Sequence, residues 1–151
     1  MNPAAPSSPL PSLDAFRAQA HPRCVVCAPD HPAGWRIRFA AQPDGSVTGA
    51  LAAGEMFAGY PDQLHGGIAA ALLDGAMTNC LFARGLAAVT AELRVRYLHP
   101  ITTQSPVTVR AWITESHPPL YLLHAEITQN HGVKTRARGK FMSRPAPAES
   151  A

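Results

Sequence analysis

Asp74 is the only charged side chain between His65 and Phe82, in a run otherwise suited to burial: His65-Gly-Gly-Ile-Ala-Ala-Ala-Leu-Leu-Asp-Gly-Ala-Met-Thr-Asn-Cys-Leu-Phe. A carboxylate there loses water, a cost that partners must offset and that shifts its pKa. Just upstream, His65-Gly66-Gly67 stands where a helix begins, with free backbone N–H groups and the positive end of the helix dipole. The N–H of Gly66 or Gly67 can polarise an acyl carbonyl and support a developing oxyanion. Asp74 can act as general base on a water or as nucleophile toward the carbonyl carbon. A thioester suits this equipment, because a thiolate leaves more readily than an alkoxide or an amine and needs little acid help.

Spacing constrains how these groups can meet. Gly66 and Asp74 are eight residues apart, roughly 12 Å along a helix axis at the usual rise per residue. A carbonyl held at the helix start is out of reach of Asp74 on the same helix. If both serve one substrate, two subunits must supply them from antiparallel helices, giving two equal sites per isologous dimer.

The elements that must position these groups can be read from periodicity and turn signals. Residues 13–20 suit a short helix, and Trp35-Arg-Ile-Arg-Phe alternates as a strand with Trp35, Ile37 and Phe39 on one face. Pro43-Asp44-Gly45 signals a turn, after which Ser46 to Leu51 returns as the second strand of a hairpin. A helix is expected over roughly 66–83, stopped at Arg84-Gly85. Four strands follow: Val89 to Leu98, Pro106 to Ser116, Leu120 to Thr128 and Val133 to Ser143, with Asn130-His131-Gly132 as the last turn. In the first, alternation groups Ala91, Leu93, Val95 and Tyr97 on one side and Thr90, Glu92, Arg94 and Arg96 on the other. In the last, Lys134, Arg136, Arg138 and Lys140 oppose Val133, Ala137 and Phe141. The helix is apolar nearly all round and needs covering on every side. An antiparallel sheet curling round it covers much of that surface and a second copy the rest, an α+β arrangement.

Composition bounds the function class. The chain has 151 residues, 46% hydrophobic and 15% charged, with a formal net charge of +3. That fits one globular domain, with 13–143 as its expected span between Pro/Ala/Ser-rich tails at 1–12 and 144–151. The basic residues form no dense patch with interleaved aromatics, so a nucleic-acid partner is not expected. No stretch approaches the roughly 20 apolar residues that cross a bilayer, and the first residues lack the basic start and apolar core of a secretory signal. Three cysteines suggest no disulfide framework, and a cytoplasmic setting is the expectation.

Three segments together resemble a known family: Gly59-Tyr-Pro-Asp-Gln63-Leu-His65-Gly66-Gly67-Ile68, Leu72-Leu73-Asp74-Gly75-Ala76-Met77, and Val89-Thr90-Ala91-Glu92-Leu93-Arg94-Val95-Arg96-Tyr97. With the upstream Cys24-Val-Val-Cys27, they are similar to the hotdog-fold acyl-CoA thioesterases of the PaaI-like superfamily. The resemblance runs from about residue 21 to 143. It implies a hotdog fold, an antiparallel sheet wrapped round one long helix, in a homodimer or a dimer of dimers that hydrolyses acyl-CoA without metal or bound cofactor. By position it assigns the carbonyl-binding N–H to Gly66, the helix-start histidine to His65, and the catalytic carboxylate of the opposing subunit to Asp74. It makes Thr90 a strand hydroxyl that helps place the water or the carboxylate. Gln63 and Gly67 belong to the same substrate-binding segment, and Arg94, Arg136 and Arg138 are candidates for the CoA phosphates. Two positions depart from the pattern: Gly59 stands where some relatives carry Asn, and Gly75 where many carry Glu.

Other residues admit plainer roles. His21, Cys24, Cys27 and His31 are ligand types that could hold zinc. Four ligands within eleven residues lack the usual second element that closes a tetrahedral site, so a structural turn is the default and no metal is expected. Cys80 reads as core. The same tunnel could hold acyl-CoA or a related ligand without turnover, a reading that Gly59 and Gly75 motivate. A hydratase or dehydratase is a third option, lacking an evident Asp/His pair.

Overall fold

The computed structural model describes residues 10–144; residues 1–9 and 145–151, most of the two expected tails, lie outside the described residues. The inner ends of those segments are tied down. Ser12 caps helix α1 (Leu13–Ala20), its Oγ accepting from the Ala15 N–H at 3.2 Å. At the other end the Arg144 N–H donates to the Ala87 carbonyl at 2.9 Å.

Six antiparallel strands form one sheet: β1 (Ala40–Ala41), β2 (Val47–Leu51), β3 (Ala88–Tyr97), β4 (Val107–His117), β5 (Leu120–Gln129) and β6 (Gly132–Ser143), in the order β1-β2-β4-β5-β6-β3. The long helix α2 (Gly66–Phe82) lies between β2 and β3 in sequence and packs on strands β2 to β6. Leu72, Leu73, Ala76, Met77, Cys80 and Leu81 are fully buried, against Val109, Leu123, Ile127 and Phe141 of the sheet. Position 139 shows how close the two layers come: a Cβ on Gly139 would lie 2.7 Å from the Met77 sulfur. This is the expected α+β hotdog arrangement.

The turns follow local chemistry. Gly45 adopts φ +85°, and Asp44 Oδ1 accepts from both the N–H and the hydroxyl of Ser46 at 2.9 and 2.6 Å, closing the β1–β2 hairpin. Asn130 and His131 take φ of 51° and 65°, the positive values that a two-residue hairpin needs to match strand twist.

Two expectations are corrected. The alternating segment Trp35 to Phe39 does not form a strand; the first strand is Ala40–Ala41. Arg36 has φ +53°, which breaks the extended run, and the N–H groups of Trp35 and Ile37 donate instead to Val25 and Val26. Ile37 and Phe39 are buried all the same. The second correction concerns how α2 is covered. On the side away from the sheet, a second copy is not the only cover: α1 and the 24–39 segment pack there, with Val26 against Gly75 and Phe16 against Phe82.

Candidate functional site

Asp74 occupies the middle of α2 and is only partly exposed. Its Oδ1 accepts a hydrogen bond from the Thr90 hydroxyl at 2.6 Å, joining the helix to β3. Burial pushes the Asp74 carboxyl above its ordinary value; the Thr90 hydrogen bond and the charge of His21 oppose that shift. Desolvation wins. The result is a carboxylate more basic than a surface aspartate, with one hydrogen-bond donor fixing its orientation.

Thr90 reaches Asp74 only through an irregularity in β3. Thr90 pairs with Phe141 and Glu92 with Lys140, so Ala91 is an extra residue on β3 relative to β6. Strict alternation had grouped Thr90 with Glu92, Arg94 and Arg96. The bulge instead puts Thr90 on the helix face, in phase with Leu93, Val95 and Tyr97, while the charged residues stay outside.

The start of α2 is built around His65. Its Nδ1 accepts from the Gly67 N–H at 2.8 Å, capping the helix and placing the proton of the neutral ring on Nε2. Of the two glycine amides considered for an oxyanion, Gly67 is therefore already engaged. The Gly66 N–H has no acceptor among the described residues, and Gly66 is exposed. The Tyr97 hydroxyl donates to the Gly66 carbonyl at 2.6 Å, tying the helix start to the far end of β3. Sequence reasoning missed Tyr97; its place on the helix-facing side of β3 was the only available signal.

Two clefts of about 340 and 380 Å³ flank this end of the helix and share Gln63, Leu64 and Gly66. The first extends over Ala69, Tyr97, Ile101 and Thr135; the second reaches Gly59, Tyr60 and His65. Gln63 sits in a tight turn, its carbonyl accepting from the Gly59 N–H at 2.9 Å and its N–H donating to Tyr60 at 3.0 Å. Asp74 lines neither cleft. Within one protomer the Gly66 N–H and the Asp74 carboxylate do not share a cleft.

The departures at glycine have physical explanations. A Cβ at Gly59 would lie 3.3 Å from the Cα of His65, so a side chain at 59 would project beside the helix start. A Cβ at Gly75 would lie 2.8 Å from Val26 Cγ1, and the position is buried. Gly75 is thus a packing contact with the 24–39 segment.

Arg94, Arg136 and Arg138 lie on the outer face of the sheet, out of phase with the helix-facing Val95, Ala137 and Gly139. Arg94 pairs with Arg138 across strands, and Arg136 Nε stands 3.8 Å from Glu126 Oε2. The structure does not bring these guanidinium groups together with Gly66 or Asp74. His31 likewise parts from the cysteines, its Nδ1 accepting from the Ala33 N–H at 3.1 Å. His21, Cys24 and Cys27 do converge. No helix of the described residues is long and apolar enough to cross a membrane.

Residues 63–133 match the family model described as the thioesterase superfamily. No curated protein matches the chain. Among solved structures, a thioesterase superfamily protein superposes with a TM-score of 0.77 at 24% identity, over 92% of this chain and 73% of that one. The E. coli PaaI protein from the phenylacetic acid degradation operon gives 0.68 at 20% identity, over 74% and 81%. A hypothetical thioesterase from Streptococcus pneumoniae, solved with coenzyme A, gives 0.66 at 18% identity, over 71% and 87%. That S. pneumoniae protein was also solved with an aspartate replaced by alanine and, separately, with a threonine 16 positions later replaced by alanine. The separation of Asp74 and Thr90 here is also 16. These likenesses agree with the resemblance to PaaI-like hotdog thioesterases read from the sequence.

Proposed function

We propose that this chain, a hotdog-fold protein whose residues 63–133 match the thioesterase superfamily, hydrolyses acyl-CoA thioesters to free acid and CoA at sites shared across a homodimer. The observation that carries the proposal is the Thr90–Asp74 hydrogen bond of 2.6 Å on a half-buried carboxylate. Support for the substrate class comes from the coenzyme A in the S. pneumoniae neighbour.

In this reading the thioester carbonyl lies at the start of α2 and accepts from the Gly66 N–H, where the helix dipole favours developing negative charge. Asp74 of the opposing subunit, held by its own Thr90, takes a proton from water or attacks the carbonyl carbon; both routes require its ionised form. In the first route the deprotonated water attacks the carbonyl carbon and the CoA thiolate leaves from the tetrahedral intermediate, giving the free acid. In the second the thiolate leaves an acyl-aspartate anhydride, which water hydrolyses to the acid and regenerated Asp74. His65 positions Gly66 by capping the helix. Gln63 and Gly67 shape the substrate segment around it.

The need for two subunits follows from distance along the helix, and two surfaces favour their meeting. β3 is an edge strand, and Val89 and Tyr97 on it are about half exposed. On α2, Gly67, Ala70, Ala71 and Asp74 fall on successive turns and stay at least partly exposed, so a second helix can approach closely at small side chains. A basic contact from Arg94, Arg136 or Arg138 to the CoA phosphates requires a ligand that reaches round the sheet, or another pair of subunits. The test is thiol release from a panel of aryl and aliphatic acyl-CoAs by wild type, Asp74→Ala and Asp74→Asn, with the oligomeric state measured alongside. Equal rates in all three proteins remove Asp74 from the chemistry. Ligand-dependent stabilisation without hydrolysis across the panel favours a binding module instead.

A further inference from the structure

The reaction proposed above makes no use of the three side chains that gather where α1 meets α2. One ligand atom each from His21, Cys24 and Cys27 lies within 4.8 Å of the other two. A tetrahedral zinc with ordinary Zn–S and Zn–N bonds holds its ligand atoms about 3.8 Å apart, so the cluster needs only a small contraction to surround a cation.

Several features show that the geometry is held rather than incidental. His21 is the C-cap of α1, and the chain then turns so that the Cys24 N–H faces the His21 carbonyl at 3.5 Å and the Ala28 N–H donates to Cys24 at 3.0 Å. The His21 ring packs edge-on against Phe82, centroids 4.9 Å apart and planes at 84°. Its Nδ1 is buried without a hydrogen-bond partner, as is the Oδ1 of the nearby Asn79 on α2. A buried imidazole nitrogen with nothing to bond is costly in an apolar setting, and a metal or its bound water satisfies such a group. The Val26 N–H approaches Cys24 Sγ at 3.4 Å, the kind of donor that supports a metal-bound thiolate.

We infer that His21, Cys24 and Cys27 form a binding site for a zinc-class divalent cation. Two thiolates and an imidazole select a borderline-soft metal over magnesium or calcium. Cys27 is buried while His21 and Cys24 are partly exposed, so the fourth position opens toward solvent and takes water. α2 backs the loop through Val26 and Gly75 but adds no ligand, so all three come from the 21–27 segment. The cation would fasten the C-terminal end of α1 to the 24–27 turn, since His21 caps that helix and both cysteines lie in the turn.

The reduced full chain, freed of metal with a chelator, is titrated with zinc and with cobalt. The expected result is one cation per chain, a cobalt spectrum with tetrahedral ligand-field bands and a sulfur-to-cobalt charge-transfer band, and a higher unfolding temperature with zinc. Cys24→Ser, at a partly buried position, weakens binding by more than about 10-fold and reduces the charge-transfer band, while His31→Ala leaves both unchanged. A cobalt spectrum without sulfur charge transfer, absence of stoichiometric binding, or equal affinity in Cys24→Ser overturns the inference. The wild-type spectrum decides the matter even if a variant folds poorly.

Discussion

Thr90 Oγ1 donates to Asp74 Oδ1 at 2.6 Å, joining β3 to the one charged residue of α2. One short bond thereby sets both the direction of the carboxylate and part of its proton affinity. Replacing Asp74 by Asn keeps its shape and removes its basicity. Under the proposed chemistry kcat falls by about 10² to 10⁴-fold, measured as thiol release at saturating acyl-CoA.

The Thr90 hydroxyl lowers the Asp74 pKa against the larger effect of burial. Thr90→Val removes that bond at nearly constant volume. The acid limb of the pH–rate profile, which reports ionisation of the base, is expected to move to higher pH. The rate at its plateau drops about 10-fold or more, in line with one lost bond to a charged group. An unmoved limb would separate Thr90 from the titration of Asp74.

Gly66 offers an unusually clean way to delete a backbone donor. It is the first residue of α2, and the preceding His65 is extended, with φ −61° and ψ 133°. Proline is accommodated at such a position because its missing N–H is not needed by the helix. A Cβ there would meet Tyr97 Oη at 3.4 Å, an ordinary contact. Gly66→Pro should fold, bind acyl-CoA and lose about 10² to 10³-fold in kcat, read from paired circular dichroism and kinetics.

The raised Asp74 pKa also has a stability consequence. In the unfolded chain the carboxyl titrates near its ordinary 3.8, whereas burial raises it in the folded protein. Between those two values the unfolded state binds fewer protons, so stability falls as pH rises. The contribution of the neutral carboxyl is complete below 3.8 and lost once pH passes the folded value. Asp74→Asn has no such loss. Its unfolding temperature should exceed that of wild type at neutral pH, with the gap closing in acid.

Gly75→Glu separates packing from chemistry. The new Cβ would fall 2.8 Å from Val26 Cγ1 in a buried position, with a carboxylate beyond it. Overpacking and charge burial together should cost about 3 kcal/mol or more, and denaturant melts would register it. A gain in hydrolysis with unchanged stability would contradict the packing role.

Much of this protein was legible in the residues alone. The apolar run 66–82 dictated a helix that had to be enclosed, because Asp74 is its only charged residue and most of the others are apolar. Alternation and turn residues dictated the later strands, and the Gly66–Asp74 interval keeps the helix start and the carboxylate apart on one helix. Those conclusions rest on local periodicity and fixed rise per residue. The tertiary structure decided the rest. Thr90 faces Asp74 because Ala91 is an unpaired extra residue, and pairing register depends on the neighbouring strand. The Gly67 N–H is engaged because the His65 ring folds back onto it. Gly75 is a contact with Val26, and His21 joins the cysteines while His31 leaves them. Each depends on residues distant in sequence or on a side-chain rotamer, and neither leaves a mark on the local pattern.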